Sequence, residues 1–299
     1  MAKILNYGSL NIDYVYDVDH FVTAGETLSS DNLFTNCGGK GLNQSIACAK
    51  AGSQIFHAGK IGENGDFLKD ILESYNVDTS FVKKCDTPNG HAIIQVDKEG
   101  QNCILLFSGS NSEITESEVD SCFDNFEKGD YLLLQNEINL IPYIMNKAFE
   151  KGLNIVFNPS PINQQIYKYP IEKVSLLILN EVEGKALSGF DEAQDIINEL
   201  KKKYPDTDIL LTLGKNGAVF ANSEKQISHG IYEADVVDST AAGDTMTGYF
   251  VACIAKGESP ERALEIASKA SSITVTRNGA AVSIPTYDEV EKADLKLKQ

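Results

Sequence analysis

Arginine is almost missing. Of the 26 Lys and Arg in the 299-residue chain, only Arg262 and Arg277 are arginines. Clusters of forked guanidinium contacts are therefore excluded, and a bound phosphate must rest on backbone amides, a helix end or a lysine. Base is scarce relative to acid as well. The 43 Asp and Glu bring the formal charge to −17, which disfavours a nucleic-acid or anionic-membrane surface. None of Cys37, Cys48, Cys85, Cys103, Cys122 and Cys253 forms a C-x-x-C pair, and no histidine stands at zinc-finger spacing. These six thiols read as reduced, mostly buried small hydrophobes. Apolar runs are short: Val174 to Leu179, broken by Ser175, is far below a membrane span. Met1 to Asn6 contain no signal-type apolar run, so a cytoplasmic location is the expectation. Only 8 prolines occur, and no linker, repeat or low-complexity stretch divides the chain. One main domain over residues 1–299 is expected, long enough to bury a sizeable core.

What the chain does contain is an alternation of short apolar runs with amphipathic stretches. Ile4 to Tyr7 reads as a buried strand. Leu42, Ile46 and Ala49 then mark a helix stopped by Gly52, and Phe67, Leu68, Ile71, Leu72 and Tyr75 mark a second. His91–Val96 and Cys103–Phe107, around Lys98-Glu99-Gly100, predict a β-hairpin. Tyr131–Leu134, Asn154–Phe157, Leu176–Leu179 and Ile209–Leu213 follow as further strands. Such alternation predicts an α/β fold, a mostly parallel sheet with helices on both faces. The extra early strands, from about residues 10–37 and 91–107, predict a small separate sheet inserted as a flap. Ligands of parallel sheets sit beyond the carboxyl ends of the strands, so those ends carry the functional reading.

Asn11 and Asp13 lie on one side of an extended segment after the first strand. An amide beside a carboxylate suits a polyhydroxyl ligand, while an Asx turn is the plain structural alternative. Gly38-Gly39-Lys40-Gly41-Leu42-Asn43-Gln44 leads into a helix, where the backbone can approach a ligand and free N–H groups can meet an anion or hydroxyl. It is neither a P-loop nor a dinucleotide glycine motif. Glu137 follows the strand at Tyr131–Leu134 and points into the same crevice. Asn158-Pro159-Ser160-Pro161 reads as a rigid exit without chemistry of its own. Asn180 and Glu183 fit a capping box, or Glu183 could order waters around Mg²⁺; this segment leaves both open. Thr212-Leu213-Gly214-Lys215-Asn216-Gly217 forms a hairpin or nucleotide-lining turn.

The most informative stretch is Val237 to Met246. Small residues open a helix there, and the N–H groups of Ala242, Gly243 and Asp244 are expected to be unpaired. They would form a positive pocket for charge on a transferring phosphoryl group. Asp244, in the same turn, could take a proton from an attacking hydroxyl.

Taken together these motifs resemble the ribokinase-like, phosphofructokinase-B type family of carbohydrate kinases, over nearly the whole chain. The resemblance rests on Gly38–Gln44 and Asp238–Asp244, with Asn158–Pro161, Asn180–Glu183 and Thr212-Leu213-Gly214 between them. Ala24-Gly25-Glu26-Thr27, Gly109-Ser110-Asn111 and Val275–Ala280 resemble the branch of that family that phosphorylates ribose. Ala241, where many members have glycine, is similar to that branch too; Leu42 and Ser160 depart conservatively from the family pattern. What the resemblance implies is a three-layer α/β/α sandwich with a small β-sheet lid, transferring the γ-phosphoryl of ATP to the 5-hydroxyl of D-ribose. It assigns Asn11, Asp13, Gly39, Lys40, Gly41, Asn43 and Glu137 to the sugar, and Asn180 with Thr212–Gly217 to ATP. It makes Glu183 an organiser of Mg²⁺, Ala242 and Gly243 part of the anion hole, and Asp244 the base. It also implies a K⁺ site at Asp238, Thr240, Thr274, Arg277, Gly279 and Ser283, partly through backbone oxygens, and a homodimer in which two lids cover each other.

Rival readings are a sister kinase acting on fructose, a ketodeoxy acid or a nucleoside, and a sugar-binding regulator that lost the chemistry. A nicotinamide dehydrogenase lacks its glycine spacing.

Overall fold

A computed structural model describes residues 2–298. It opens with β1 (Ile4–Tyr7), β2 (Asn11–Asp17), β3 (Asn32–Gly38) and helix α1 (Lys40–Lys50). Next come β4 (Ile55–Glu63), α2 (Asp66–Ser74), β5 (Asp78–Pro88) and the hairpin of β6 (His91–Val96) and β7 (Asn102–Phe107). The alternating half runs through α3 (Glu116–Phe123), β8 (Tyr131–Gln135), α4 (Ile141–Lys151), β9 (Asn154–Asn158), β10 (Leu176–Asn180), α5 (Glu181–Ser188), α6 (Ala193–Lys203) and β11 (Asp208–Thr212). A second hairpin, β12 (Ala218–Ala221) and β13 (Gln226–His229), precedes α7 (Ala242–Ala255), α8 (Pro260–Thr274) and α9 (Tyr287–Lys292).

The main sheet has 9 strands in the order β13-β12-β11-β10-β9-β8-β1-β4-β5. All neighbours from β5 to β11 are parallel, and β12 and β13 add an antiparallel edge. Strand residues sort by parity, as a sheet covered on both faces requires. Ile4, Leu133, Val156, Ile178 and Leu210 join one core with α1, α2, α7 and α8. Their neighbours Leu5, Leu132, Ile155, Leu177 and Ile209 join the other with α3 to α6. Strand order reverses at β1, which has β4 on one side and β8 on the other. A crevice opens at that switch point.

Four strands in the order β3-β2-β6-β7 form the predicted second sheet. Its register sets Asp13 opposite Asn36 and Ala92, and sets Val15 opposite Phe34 and Ile94, with Ile94 opposite Ile104. One face therefore carries a carboxylate at its base and an apolar row nearer its tip.

Strands β4 and β5 had no expectation in the sequence. β4 is interrupted by His57, Gly59, Lys60 and Gly62, and β5 is an edge strand bearing Lys83, Lys84 and Asp86. Edge strands are commonly charged, which erases the apolar pattern. β11 stops at Thr212, one residue before the predicted end, because Leu213 turns and its N–H reaches back to Gly217 O at 2.8 Å.

Candidate active site

Two helix starts face each other across the crevice. Helix α7 is apolar nearly all round and buried between the sheet and its neighbours. It crosses α1 closely: a Cβ on Gly248 would lie 2.4 Å from Ala47 Cβ. That crossing brings the first turn of α7 beside Asn43 and Gln44 of α1. Helix α1 in turn presses on the end of β1, since a Cβ on Gly41 would lie 2.3 Å from Ser9 N. Only glycine allows this approach.

Asp244 is buried at this junction. Asn43 Nδ2 donates to its Oδ2 at 3.0 Å, and Gln44 Nε2 donates to its Oδ1 at 2.9 Å. Among the described residues, the N–H groups of Gly243 and Asp244 have no partner, as expected at a helix start. The expectation for Ala242 is corrected: its N–H donates to Ser239 O at 3.3 Å, so the open donors number two rather than three. The turn is made by Ala241, which sits in the left-handed region at φ 61° and closes the helix by accepting Thr245 N–H at 2.8 Å. A non-glycine residue there costs about 1 kcal/mol.

A cavity of about 240 Å³ opens before this turn, bordered by Lys40, Asn158, Asn180, Glu183, Thr212, Gly243 and Asp244. Leu213 to Gly217 leave β11 just beyond Thr212 and do not border it; Gly214, Lys215 and Asn216 are exposed. Asn180 and Glu183 form the capping box in full. Asn180 Oδ1 accepts Glu183 N–H at 3.0 Å, and Glu183 Oε2 accepts Asn180 N–H at 3.0 Å. Asn180 Nδ2 also donates to Glu183 Oε1 at 3.1 Å, and the buried Glu183 borders the cavity.

The carboxyl ends of β1 and β8, with the start of β2, supply the other wall. Glu137 Oε2 accepts the Lys40 N–H at 2.9 Å and a hydrogen bond from Ser9 Oγ. Helix α1 has Gly39 before it and no side-chain cap of its own, so Glu137 serves as its distant anionic cap. Asp13 and Glu137 both carry raised pKa values. For Asp13 burial is the main cause, then the charges of Glu137 and Asp244, and together they push it up to about 7. For Glu137 burial again leads and outweighs Lys40 and Ser9. Lys40 is opposite in sense: burial pulls its pKa down, but Asp244, Glu137 and Glu183 more than restore it. A persistent cation thus stands among three carboxylates.

A second cavity, of about 560 Å³, lies beyond Glu137 and is bordered by Asn11, Asn111, Leu106, Phe107 and Tyr169. Asn43 Oδ1, buried beside Asp244, has no hydrogen-bond partner. An orphaned buried acceptor next to Asp244 fits a ligand hydroxyl.

The six residues of the expected K⁺ site lie on the loops around Asp238 and the end of α8. Asp238 ties them together, accepting Thr240 N–H and Gly279 N–H at 2.9 Å each. The Thr274 hydroxyl is turned away, donating to Ala270 O at 3.0 Å and accepting the Thr245 hydroxyl at 3.1 Å. Ser283 Oγ donates to Ala280 O at 2.6 Å, and Arg277 pairs with Glu289 at 2.7 Å. Arg277 has no side-chain oxygen and could offer only its main-chain carbonyl, whereas Ser283 Oγ keeps its lone pairs while donating to Ala280 O.

Some participants were not legible as such. Asn158, expected only as part of a rigid exit, borders the cavity of about 240 Å³, and its Oδ1 accepts Gln44 Nε2 at 3.3 Å. Ser9 and Gln44 sat inside motifs without a role. Asn111 Nδ2 donates to Asn11 Oδ1 at 2.7 Å, and Asn111 Oδ1 accepts Leu10 N–H at 3.0 Å. Only the third dimension joins residues so far apart in the chain.

Known proteins are similar to this chain over nearly its whole length. Residues 1–287 match the model of the pfkB family carbohydrate kinases. A ribokinase of Staphylococcus aureus is 32% identical over 97% of this chain and 99% of its own. A deoxyribokinase of Salmonella typhi is 26% identical over 94% of this chain and 95% of its own. The ribokinase of Cryptococcus neoformans, solved in complex with ADP, superposes with a TM-score of 0.86 at 33% identity, covering 98% of this chain and 99% of that one. The nine-strand sheet with its separate lid sheet is the fold of that ribokinase, and the chain is a member of the pfkB carbohydrate kinase family.

Proposed function

We propose that the protein phosphorylates D-ribose at its 5-hydroxyl, consuming ATP and giving ribose 5-phosphate and ADP. The observation that carries this reading is the surrounding of Asp244. It is a buried carboxylate in a helix turn with two open N–H groups, and Lys40 and Glu183 border the same cavity. Asp244 accepts the proton of the attacking hydroxyl. The amides of Gly243 and Asp244, with Lys40, balance charge on the phosphoryl group in flight, and they are fixed before it arrives. Asn180 and Thr212 border the ATP side, with the Leu213–Gly217 turn beyond them.

Asn11, Asp13, Asn43 and Glu137 supply donors and acceptors to a sugar, and Gly39 and Gly41 let the backbone come close. Carboxylates outnumber the single lysine, which suits a neutral polyol and opposes a phosphosugar. Glu183, a buried hard-oxygen donor on the phosphate cavity, suits Mg²⁺ held largely through water. Asp238, Thr240, Thr274, Arg277, Gly279 and Ser283 would hold K⁺ through an all-oxygen set with one carboxylate. When bound, both ions supply positive charge to the phosphates and the anion hole.

The lid leaves Phe34, Ile104 and Leu106, on one face, about half exposed. We assign this surface to a second copy, giving a homodimer in which the lids cover each other. No helix among the described residues is long and apolar enough to cross a membrane, and a cytoplasmic site of action is part of the proposal.

A second reading has one observation in its favour. The cavity of about 560 Å³ beyond Glu137, bordered by Phe107 and Tyr169, has room for a planar substituent on the sugar, as in a nucleoside. One ADP-release assay decides between them, run with ribose, 2-deoxyribose, fructose, 2-keto-3-deoxygluconate and adenosine, in potassium and in sodium. Ribose should give the highest kcat/KM, with turnover higher in potassium. A preference for adenosine overturns the ribose reading, and no sugar-dependent ADP release overturns the kinase.

A further inference from the structure

Gln44 lies next to Asn43, and both side chains converge on the Asp244 carboxylate, Gln44 reaching on to Gln135 of the sheet. Gln44 is 0% exposed. Its Nε2 donates to Asp244 Oδ1 at 2.9 Å and to Asn158 Oδ1 at 3.3 Å, and its Oε1 accepts Gln135 Nε2 at 2.7 Å. Every polar atom of the side chain is therefore engaged.

The direction of this amide is forced from both ends. Backbone carbonyls can only accept. Asn6 Nδ2 donates to Gly41 O at 2.7 Å and to Ser45 Oγ at 2.8 Å, so Asn6 must turn its Oδ1 to Gln135. Gln135 Nε2 then donates to that oxygen at 3.0 Å and spends its second hydrogen on Gln44 Oε1. At the opposite end, Asn158 Nδ2 donates to Ile178 O at 2.9 Å, which turns Asn158 Oδ1 toward Gln44. A flipped Gln44 would set its oxygen against Asp244 and Asn158 and its NH₂ against that of Gln135. Unpaired buried contacts of that kind cost about 1–3 kcal/mol each.

We propose that Gln44 is the positioning residue of Asp244. It reaches Asp244 Oδ1 while Asn43 reaches Oδ2, so the carboxylate plane is fixed by donors on both oxygens. Through Gln135 and Asn6 that plane is referred to β8 and β1, the two strands flanking the switch point. Gln44 does not touch the sugar or ATP; it holds the lone pair that receives the proton at a constant angle to the attacking hydroxyl. Misplacement of a reacting group by about 1 Å can cost on the order of 100-fold in rate. This inference rests on Asp244 being the base.

The test is a double-mutant cycle on kcat with saturating ribose and ATP, using wild type, Gln44→Met, Asp244→Asn and the double variant. Gln44→Met should lower kcat about 10-fold or more, with KM for ribose and ATP within about threefold of wild type. In the Asp244→Asn background the same substitution should change kcat by less than about twofold. Gln135→Leu, which frees the Gln44 amide to invert, should reproduce a smaller part of the loss and likewise lose its effect without Asp244. Full kcat in Gln44→Met overturns the proposal, as does an equal loss in both backgrounds or a loss confined to KM. Should Gln44→Met melt near assay temperature, Gln44→Asn, which keeps the amide but is one methylene short, is read in the same cycle. Undiminished turnover in Asp244→Asn alone identifies failure of the base assignment itself, separately from failure of the role given to Gln44.

Discussion

The carboxylate of Asp13 lies on the bare Cα of Gly38, so close that a Cβ there would fall 1.9 Å from Oδ2. The two residues are near-neighbours across the β2–β3 pair, where Asn11 stands opposite Gly38 and Asp13 opposite Asn36. Glycine at 38 is what lets a charged side chain fold down over the lid strand toward the sugar site. Gly38→Ala should therefore push Asp13 aside and raise KM for ribose about 10-fold or more, by loss of a charged hydrogen bond, with a smaller change in kcat. Unchanged steady-state kinetics would show that Asp13 does not contact the sugar.

Asp13 also links the site to stability. Its pKa moves from an ordinary 3.8 to about 7 on folding, through burial and then through Glu137 and Asp244. A carboxyl raised on folding contributes stability that is complete below its unfolded value and is lost as pH rises through the folded value. The window is therefore about pH 4 to 7. Asp13→Asn removes the penalty, so its Tm should exceed the wild type's by about 2–4 °C at pH 8. Thermal scans at pH 4 and pH 8 should find that gap closing toward pH 4. A gap independent of pH would mean that the carboxyl is not held up by its neighbours.

Asn111 fixes which end of Asn11 faces the crevice. Because it donates to Asn11 Oδ1, the Asn11 NH₂ is the end left to a ligand. Asn111→Leu should raise KM for ribose about 10-fold through the lost orientation, leaving KM for ATP within about twofold. Equal effects on both constants, measured by varying each substrate in turn, would point to general loosening instead.

The apolar row of the lid gives a prediction of assembly. Phe34 and Ile104 lie at either side of Val15 and Ile94, on the face whose base carries Asp13. Ile104→Glu should convert a dimer to a monomer in sedimentation velocity, because a charge buried in an apolar interface is costly. A wild type that sediments as a monomer at micromolar concentration would remove the homodimer.

How much of this was written in the chain follows from where each signal resides. Core strands such as β1, β8 and β10 were legible because burial on both faces makes them short, continuous apolar runs. β5 was not, since its Lys83 and Lys84 answer to solvent at an edge. The glycines at 38 to 41 and the small residues at 241 to 243 were legible because close backbone approach restricts residue type locally. Gln44, Asn158 and Ser9 gave no such signal, because a buried amide or hydroxyl is defined by its partners. Those partners, Asp244, Ile178 and Glu137, lie 200, 20 and 128 residues away. Ala242 misled for a related reason: its expected open N–H is taken by Ser239, in a turn set by the left-handed Ala241.

The central claim is that Asp244 takes the sugar's proton, and Asp244→Asn tests it most directly. Asparagine keeps the size of the side chain but cannot accept a proton at neutral pH. With ribose and ATP saturating, kcat should fall by about 10²–10⁴ while ribose still binds, by calorimetry, within about threefold of wild-type affinity. An Asp244→Asn enzyme that turns over at close to the wild-type rate would contradict the account.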